Sequence, residues 1–134
     1  MTLTKADYEA LAGFRRTLRR FLHNTEANAR AEGITPQQHQ LLLAIMGQPD
    51  RAWANVTELA EALQILHHAA VGLVNRCERA GLVLRTPGTR DRREVHVSLT
   101  PRGEEVLARL AESNRAELEM LRRSLALPFL VGQQ

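Results

Sequence analysis

The chain has 134 residues, of which 44% are hydrophobic and 25% are charged. This is an ordinary globular composition with room for one core, and it excludes a disordered or collagen-like chain. The sequence contains no run of about 18 apolar residues and opens with no basic segment followed by an apolar one, so we expect neither a membrane span nor a secretory signal. The single cysteine, Cys77, can form neither an internal disulfide nor a thiolate cage around a metal. These features predict a cytoplasmic protein.

Positive charge is concentrated in the middle of the chain. The 18 lysines and arginines exceed the 15 aspartates and glutamates by a net charge of +3. Between residues 66 and 103, seven arginines stand against three acidic residues, so the whole excess lies there. A local excess of arginine favours an anionic polymer as the partner, although a solvated arginine-rich face is an equally open interpretation.

The first segment predicts one long helix. Thr4 is its N-cap, Asp7 completes a weak capping box, and apolar residues then recur with the helical period as far as about residue 32. Gly33 follows as the stop. A helix of this length measures roughly 40 Å, more than a domain of this size covers, so part of it should pack on another chain.

Three shorter helices follow. Thr35 and Gln38 form a capping box for the second helix, and the third begins at Asn55 or Thr57. The fourth runs from about residue 67 to residue 80. Its buried face is predicted to hold Ala70, Leu73, Val74 and Cys77.

The hydrophobic period then changes to that of a β-hairpin. Residues 82–85 read as a short strand, residues 87–92 as a turn-rich tip, and residues 94–99 as an alternating strand. The alternation places Val95, Val97 and Leu99 on one face.

One last long helix is predicted after the hairpin. Thr100-Pro101 gives its start, and Pro128 ends it. An apolar tail, residues 129–131, follows. The apolar stripe of this last helix comprises Leu107, Leu110, Asn114, Leu118, Leu121 and Leu125.

This order of elements is that of a winged helix-turn-helix. The fold class is mainly α (α+β), with long N- and C-terminal dimerisation helices and a two-stranded β wing. In such a fold the fourth helix enters the major groove of DNA and a cationic wing suits the narrow minor groove. The candidate DNA contacts are His67, His68, Ala69, Gly72, Asn75 and Arg76 on the helix, and Arg90, Asp91, Arg92 and Arg93 on the wing.

At these residues the sequence resembles the MarR family of bacterial winged-helix regulators. The resemblance rests on residues 59–76, 80–83 and 91–103, and it extends over roughly residues 5 to 125. The last stretch contains an Asp-x-Arg pair, an alternating strand and a Leu-Thr-x-x-Gly helix start. Leu66, Ala69 and Val71 depart from the residue types common in the family.

The resemblance implies a homodimer with interlocked terminal helices, bound to a pseudo-palindromic operator in double-stranded DNA. It implies a repressor released by a small organic effector, often phenolic or anionic, that binds between the dimer helices and the DNA-binding domain. His23 and His39 are the candidate effector residues. By the same resemblance, Arg93 enters the minor groove, Asp91 holds the wing by pairing with arginine, and Arg92 contacts a phosphate.

We therefore predict a single domain over residues 1–134. It divides into an N-terminal dimerisation helix (1–33), a winged helix-turn-helix (34–100) and a C-terminal dimerisation helix with tail (101–134). We expect no enzyme activity, because the sequence contains no glycine-rich phosphate loop and no nucleophile elbow. We also expect no cofactor, no metal and no membrane partner.

Three alternatives stay open. The chain could be a dimeric winged-helix interaction module without operator binding. We favour the interpretation of Cys77 as a core residue over that of a redox switch, because a buried thiol is inert. We favour Trp53 as an anchor of the loop between the second and third helices over a role in stacking on a ligand.

Overall fold

A computed structural model describes residues 2–124 of the chain. The predicted apolar tail and the end of the last helix at Pro128 lie outside the described residues. Within residues 2–124, no helix is long and apolar enough to cross a membrane. The elements in chain order are α1 (Lys5–Ala31), α2 (Pro36–Met46), β1 (Trp53–Ala54), α3 (Val56–Leu63), α4 (His67–Arg79), β2 (Val83–Pro87), β3 (Val95–Leu99), α5 (Pro101–Ser113) and α6 (Arg115–Ser124).

The helix starts are where the capping residues predicted them. Thr4, Thr35 and Asn55 each accept a hydrogen bond from the backbone N–H three residues on. The side chain of that third residue accepts in return from the N-cap N–H, so all three capping boxes are complete. The mainly helical winged-helix fold is confirmed.

The predicted two-stranded wing is confirmed as the antiparallel pair β2 and β3, and a third strand that the sequence did not predict extends the sheet to the order β1-β3-β2. Trp53 pairs with Ser98 and Ala54 with Val97 on one edge of β3, and β2 pairs along its other edge. A strand of two residues is too short to show a period of two, so the sequence pattern could not reveal β1.

Burial along β3 does not simply follow the face that holds Val95, Val97 and Leu99. Val97 and Leu99 are buried, but Val95 is exposed and His96 is buried. The ring of His96 stacks on Trp53 with 3.3 Å between ring centroids and 8° between planes. This cross-strand stacking buries the face of β3 that the alternation assigned to solvent.

The sequence predicted one continuous last helix, and this was wrong. The helix is interrupted at Asn114, between α5 and α6. Asn114 is buried, and its side-chain oxygen accepts a hydrogen bond of 2.8 Å from the amide of Asn28 on α1. Asn24 donates similarly to Glu117 at 3.3 Å. These contacts dock the start of α6 onto the C-terminal half of α1.

The core lies beneath the helix-turn-helix, and α1 is mostly outside it. The fully buried side chains include Leu41, Leu42, Ile45, Leu59, Val74, Leu82, Val97 and Leu110. On α1 only Thr25 and Ala29 are buried. Of its predicted apolar stripe, Tyr8 is 57% exposed and Leu22 is 46% exposed. A single copy of the chain therefore leaves much of that stripe uncovered.

Candidate nucleic-acid interface and adjoining cavity

The turn between α3 and α4 fixes the orientation of α4. Gln64 adopts the left-handed conformation at φ 56°, and the N–H of Ile65 donates to the carbonyl of Ala60 at 3.0 Å. This closes α3 and starts α4 two residues later. Leu66, the N-cap of α4, is exposed and makes no side-chain cap, as its residue type predicted. Among residues 2–124, the first-turn N–H groups of α4 therefore have no side-chain acceptor at the N-cap.

The predicted contact face of α4 lies largely at the surface. His67, His68 and Arg76 are exposed, whereas Ala69 and Gly72 are half-buried. A methyl group on Gly72 would lie 3.4 Å from Nη1 of Arg76, so the guanidinium lies back over the glycine. The opposite face is buried as predicted through Ala70, Leu73, Val74 and Cys77.

Asn75 is not free on this face, because Arg85 of β2 holds it. Nη2 of Arg85 donates to Oδ1 of Asn75 at 2.6 Å, and Nη1 donates to Oε1 of Glu78 at 2.5 Å. Sequence reasoning did not single out Arg85 as a site residue. The sequence feature that could have identified Arg85 is its place on the strand after α4, seven residues after the exposed Glu78 of that helix.

The tip of the wing is an arginine-rich loop closed by its own backbone. Gly88 N–H donates to the carbonyl of Glu94 at 2.7 Å. Asp91 accepts from the N–H of Arg93 at 3.0 Å and from its Nε at 3.2 Å. These hydrogen bonds, first from the guanidinium and then from the backbone, lower the pKa of Asp91. The structure thus contains the Asp91–Arg93 pair that the resemblance implied, and Arg90, Arg92 and Arg93 are exposed.

A second polar cluster joins the base of the wing to α3. Arg51 pairs with Glu58 and lies over the ring of Trp53 at 4.1 Å. His96 also lies at the base of the wing, where its ring stacks on Trp53. Its buried Nε2 has no hydrogen-bond partner among residues 2–124 and lies 3.7 Å from Oε1 of Glu94. Trp53 therefore packs within the protein, as the anchoring interpretation predicted.

Cys77 is fully buried on α4, and burial raises the pKa of its thiol to about 11. The thiol is therefore protonated at neutral pH, and its reactive thiolate form is scarce. This supports the interpretation of Cys77 as a core residue.

A cavity of about 890 Å³ lies beside the helix-turn-helix. Its walls are mainly apolar and come from α1, α2, α3, α4, α5 and α6, with Ile65 from the turn before α4. His39 lines it, and burial lowers the pKa of this histidine. His23, the other candidate effector residue, is exposed on α1 and is not among the residues that line this cavity. On a helix whose inner face is set by Thr25 and Ala29, His23 points elsewhere.

Comparison with known proteins gives the class that this fold defines. The sequence model of the MarR family matches residues 32–94. The chain is 37% identical over 92 residues to the transcriptional activatory protein BadR of Rhodopseudomonas palustris, covering 68% of this chain and 53% of BadR. The chain spans about half the length of the curated relatives it matches.

Two solved structures share the fold. A mutant of MarR from E. coli complexed with operator DNA superposes with a TM-score of 0.70 at 20% identity, over 89% of this chain and 88% of that one. CouR from Rhodococcus jostii bound to p-coumaroyl-CoA gives 0.72 at 21% identity, over 98% and 90%. The chain belongs to the MarR family, as its sequence motifs indicated.

Proposed function

We propose that this chain is a sequence-specific, DNA-binding transcriptional regulator, acting in the cytoplasm as a homodimeric repressor that a small organic effector releases. The observation that carries the proposal is the double contact of Arg85 with Asn75 and Glu78. Through it, β2 of the wing is fixed to the exposed face of α4. A helix for the major groove and a cationic loop for the minor groove are thereby presented as one unit.

Each part of this unit has a role in the proposal. On α4, His67, His68, Ala69, Gly72, Asn75 and Arg76 face the major groove. Because Arg85 occupies Oδ1 of Asn75, the amide presents its N–H₂ donor outward and would read an acceptor on a base edge. On the wing, Arg93 enters the minor groove, Arg92 and Arg90 contact phosphates, and Asp91 sets the conformation of the loop.

The homodimer is proposed from the uncovered surface of α1. This helix of 27 residues buries only Thr25 and Ala29 within the chain. Its exposed apolar side chains include Tyr8 and Leu22, and α6, which packs on α1 through the Asn24–Glu117 hydrogen bond, exposes Leu118. A second copy covering this stripe would give a two-fold dimer suited to a pseudo-palindromic operator. In this scheme residues 1–33 and 101–134 dimerise and residues 34–100 bind DNA, all within one domain.

The cavity is the proposed effector site. Its volume of about 890 Å³ is in the range of small-molecule pockets. It is lined by the dimerisation helix α1 and by α2 and α4 of the DNA-binding part. A ligand there can therefore change the angle between the two parts. The related fold of CouR was solved with p-coumaroyl-CoA, which supports a ligand-responsive regulator.

Fluorescence anisotropy tests the proposal on the intergenic fragment upstream of the chain's own gene, against a scrambled duplex over a salt series. We expect tight binding to the native fragment, with a log–log salt slope of about −5 to −9 from six to ten neutralised phosphates. Arg93→Ala should weaken operator binding about tenfold or more without changing the dimer in sedimentation.

Arg122→Ala is the matched control, because Arg122 is an exposed arginine paired with Glu119 on α6, outside the wing. It should bind as the wild type does. Unchanged affinity in Arg93→Ala would remove the wing from the proposal. Equal, weak binding to every duplex tested, including a selection from random sequence, would favour the interaction module without operator binding.

A further inference from the structure

The charge inside the cavity is opposite to the charge of the chain. The protein contains 18 lysines and arginines, yet none of them lines this cavity. Its ionisable lining residues are Glu26 of α1, His39 of α2 and Glu104 of α5. Most of the remaining wall is apolar, with side chains such as Phe21, Leu43 and Leu107.

The two carboxylates lack the partners that other glutamates of this chain have. Within residues 2–124, neither Glu26 nor Glu104 forms an ion pair, whereas Glu32, Glu58 and Glu78 each pair with an arginine. Residues 125–134 contain no lysine or arginine that could supply one. Two negative charges therefore border an apolar space with no compensating cation, an arrangement that attracts a positive charge.

His39 is an independent sign of a ligand. It is only 6% exposed, and no group among residues 2–124 forms a hydrogen bond with its ring. Its ring nitrogens are not fully enclosed by residues 2–124, so the unpartnered ring on the cavity wall is open to a hydrogen-bonding ligand there. Burial lowers the pKa of His39, so the ring is neutral at neutral pH and one of its nitrogens can accept a proton donor.

We propose that this cavity binds a cationic amphiphile, a ligand with an apolar aromatic or aliphatic body and one protonated amine. The body fills the apolar walls, Glu26 and Glu104 face the ammonium group, and His39 accepts one of its N–H groups. The assignment rests on the proposed effector role of the cavity and narrows its ligand class. It also departs from the anionic or phenolic ligands that the family resemblance implied.

The expected preference of the cavity for a cationic over an anionic ligand has a direct electrostatic basis. An anionic ligand would place a third negative charge beside Glu26 and Glu104, and no lysine or arginine among residues 2–124 lines the cavity to offset it. A cationic ligand gains charge-assisted hydrogen bonds at the same place. Ligands of equal size and opposite charge should therefore differ in affinity by at least about tenfold.

Isothermal titration calorimetry on the full chain without DNA tests this with three probes of matched length: phenylbutylamine, phenylbutanol and phenylpentanoate. At neutral pH we expect the amine to bind most tightly, the alcohol more weakly and the carboxylate most weakly. A carboxylate that binds as tightly as the amine would overturn the proposal. Failure of all three probes would also overturn it, since it would mean that the cavity is filled, for example by a second copy of the chain.

Charge-neutral variants assign the effect to these carboxylates. Glu26→Gln and Glu104→Gln should each weaken amine binding by about threefold to tenfold and leave the affinity for the alcohol unchanged. Glu105→Gln is the matched control, because Glu105 is an exposed neighbour of Glu104 on α5 that does not line the cavity. An equal loss of amine affinity in the control would show a general charge effect and contradict the assignment.

The same protein then separates this inference from the proposed function. If the amine binds and also weakens operator binding, both stand. If the amine binds without any effect on operator affinity, the ligand class stands and the effector role of the cavity fails. If operator binding is intact but the anionic probe binds more tightly than the amine, the ligand class fails alone.

Discussion

Gly103 is the point at which α5 meets the start of the wing, and replacing it with alanine should damage the fold. A methyl group on Gly103 would lie closer than 3.0 Å to the carbonyl oxygen of Leu82 and 3.1 Å from its carbonyl carbon. Both neighbours are backbone atoms, so no flexible side chain can move aside. The same carbonyl accepts the N–H of Thr100 at 3.0 Å, and Thr100 caps α5 by accepting the N–H of Gly103 at 3.0 Å.

The expected magnitude follows from these contacts. Relieving the clash requires the backbone at Leu82 or the first turn of α5 to shift by several tenths of an ångström. Overpacking of this kind costs about 1–3 kcal/mol. Losing the hydrogen bond between Thr100 and Leu82 adds about 1 kcal/mol. Gly103→Ala should therefore lower the free energy of unfolding by about 2–4 kcal/mol, which for a chain of this size lowers the melting temperature by roughly 10 °C.

Calorimetry or circular dichroism at one fixed protein concentration gives the readout. Gly13→Ala is the matched control, because a methyl group on Gly13 of α1 meets no atom of the described residues within 4 Å. Alanine is the better helix former, so the control should be as stable as the wild type or up to about 1 kcal/mol more stable. If Gly103→Ala melts within about 2 °C of the wild type, the close packing of α5 on the wing is refuted.

Three further predictions concern the core and the wing base. Burial lowers the pKa of His39 from its ordinary value of 6.5, so the unfolded chain takes up a proton here at a higher pH than the folded chain does. The free energy of unfolding therefore falls as the pH drops below about 6.5. His39→Gln should flatten the profile of melting temperature against pH between about pH 7 and pH 5, and parallel profiles would contradict this. Cys77, with its raised pKa, should resist an aromatic disulfide reagent until the protein is denatured, and rapid labelling of the folded protein would oppose its place in the core. Trp53→Ala removes the ring between Arg51 and His96 and should lower the free energy of unfolding by about 2 kcal/mol in chemical denaturation. Trp53→Phe keeps most of the packing and should be more stable than Trp53→Ala. Equal stability of the two variants would refute the anchoring role.

The helix starts could be predicted because their determinants are local. A capping box is a contact between residues three apart, so Thr4, Thr35 and Asn55 each indicated the residue at which a helix begins. The left-handed conformation of Gly81 directly after α4, where φ is +75°, likewise depends on local geometry that glycine adopts easily. The buried face of α4 followed from the helical period alone.

The features that the sequence did not reveal depend on contacts between distant residues. His96 is buried because Trp53, more than forty positions earlier, stacks on it across the sheet. The last helix is interrupted where Asn114 accepts a hydrogen bond from Asn28 on α1. Local periodicity carries no information about such pairs.

The candidate DNA-contact residues were found by pattern, but their state in the molecule was not. Asn75 fits a base-reading position in the helical pattern, yet the sequence does not reveal that Arg85 already occupies its oxygen. His23 and His39 were equally plausible cavity residues from their helices. The orientation of α1 against α2 decides between them, and it places only His39 on the wall.

The two arginine contacts of the wing differ in a way that assigns them different tasks. Arg85 is only 26% exposed in its side chain and holds two acceptors on α4, so moving it to a phosphate would break two hydrogen bonds and leave the half-buried Asn75 oxygen without this donor. Arg93 is 92% exposed and pairs with a half-exposed carboxylate two residues away. An exposed pair of this kind contributes little to stability, so Arg93 can leave Asp91 for an anionic groove at small cost. This difference favours Arg85 as the residue that positions the wing and Arg93 as the proposed DNA contact, a division that their identical chemistry in the sequence does not show.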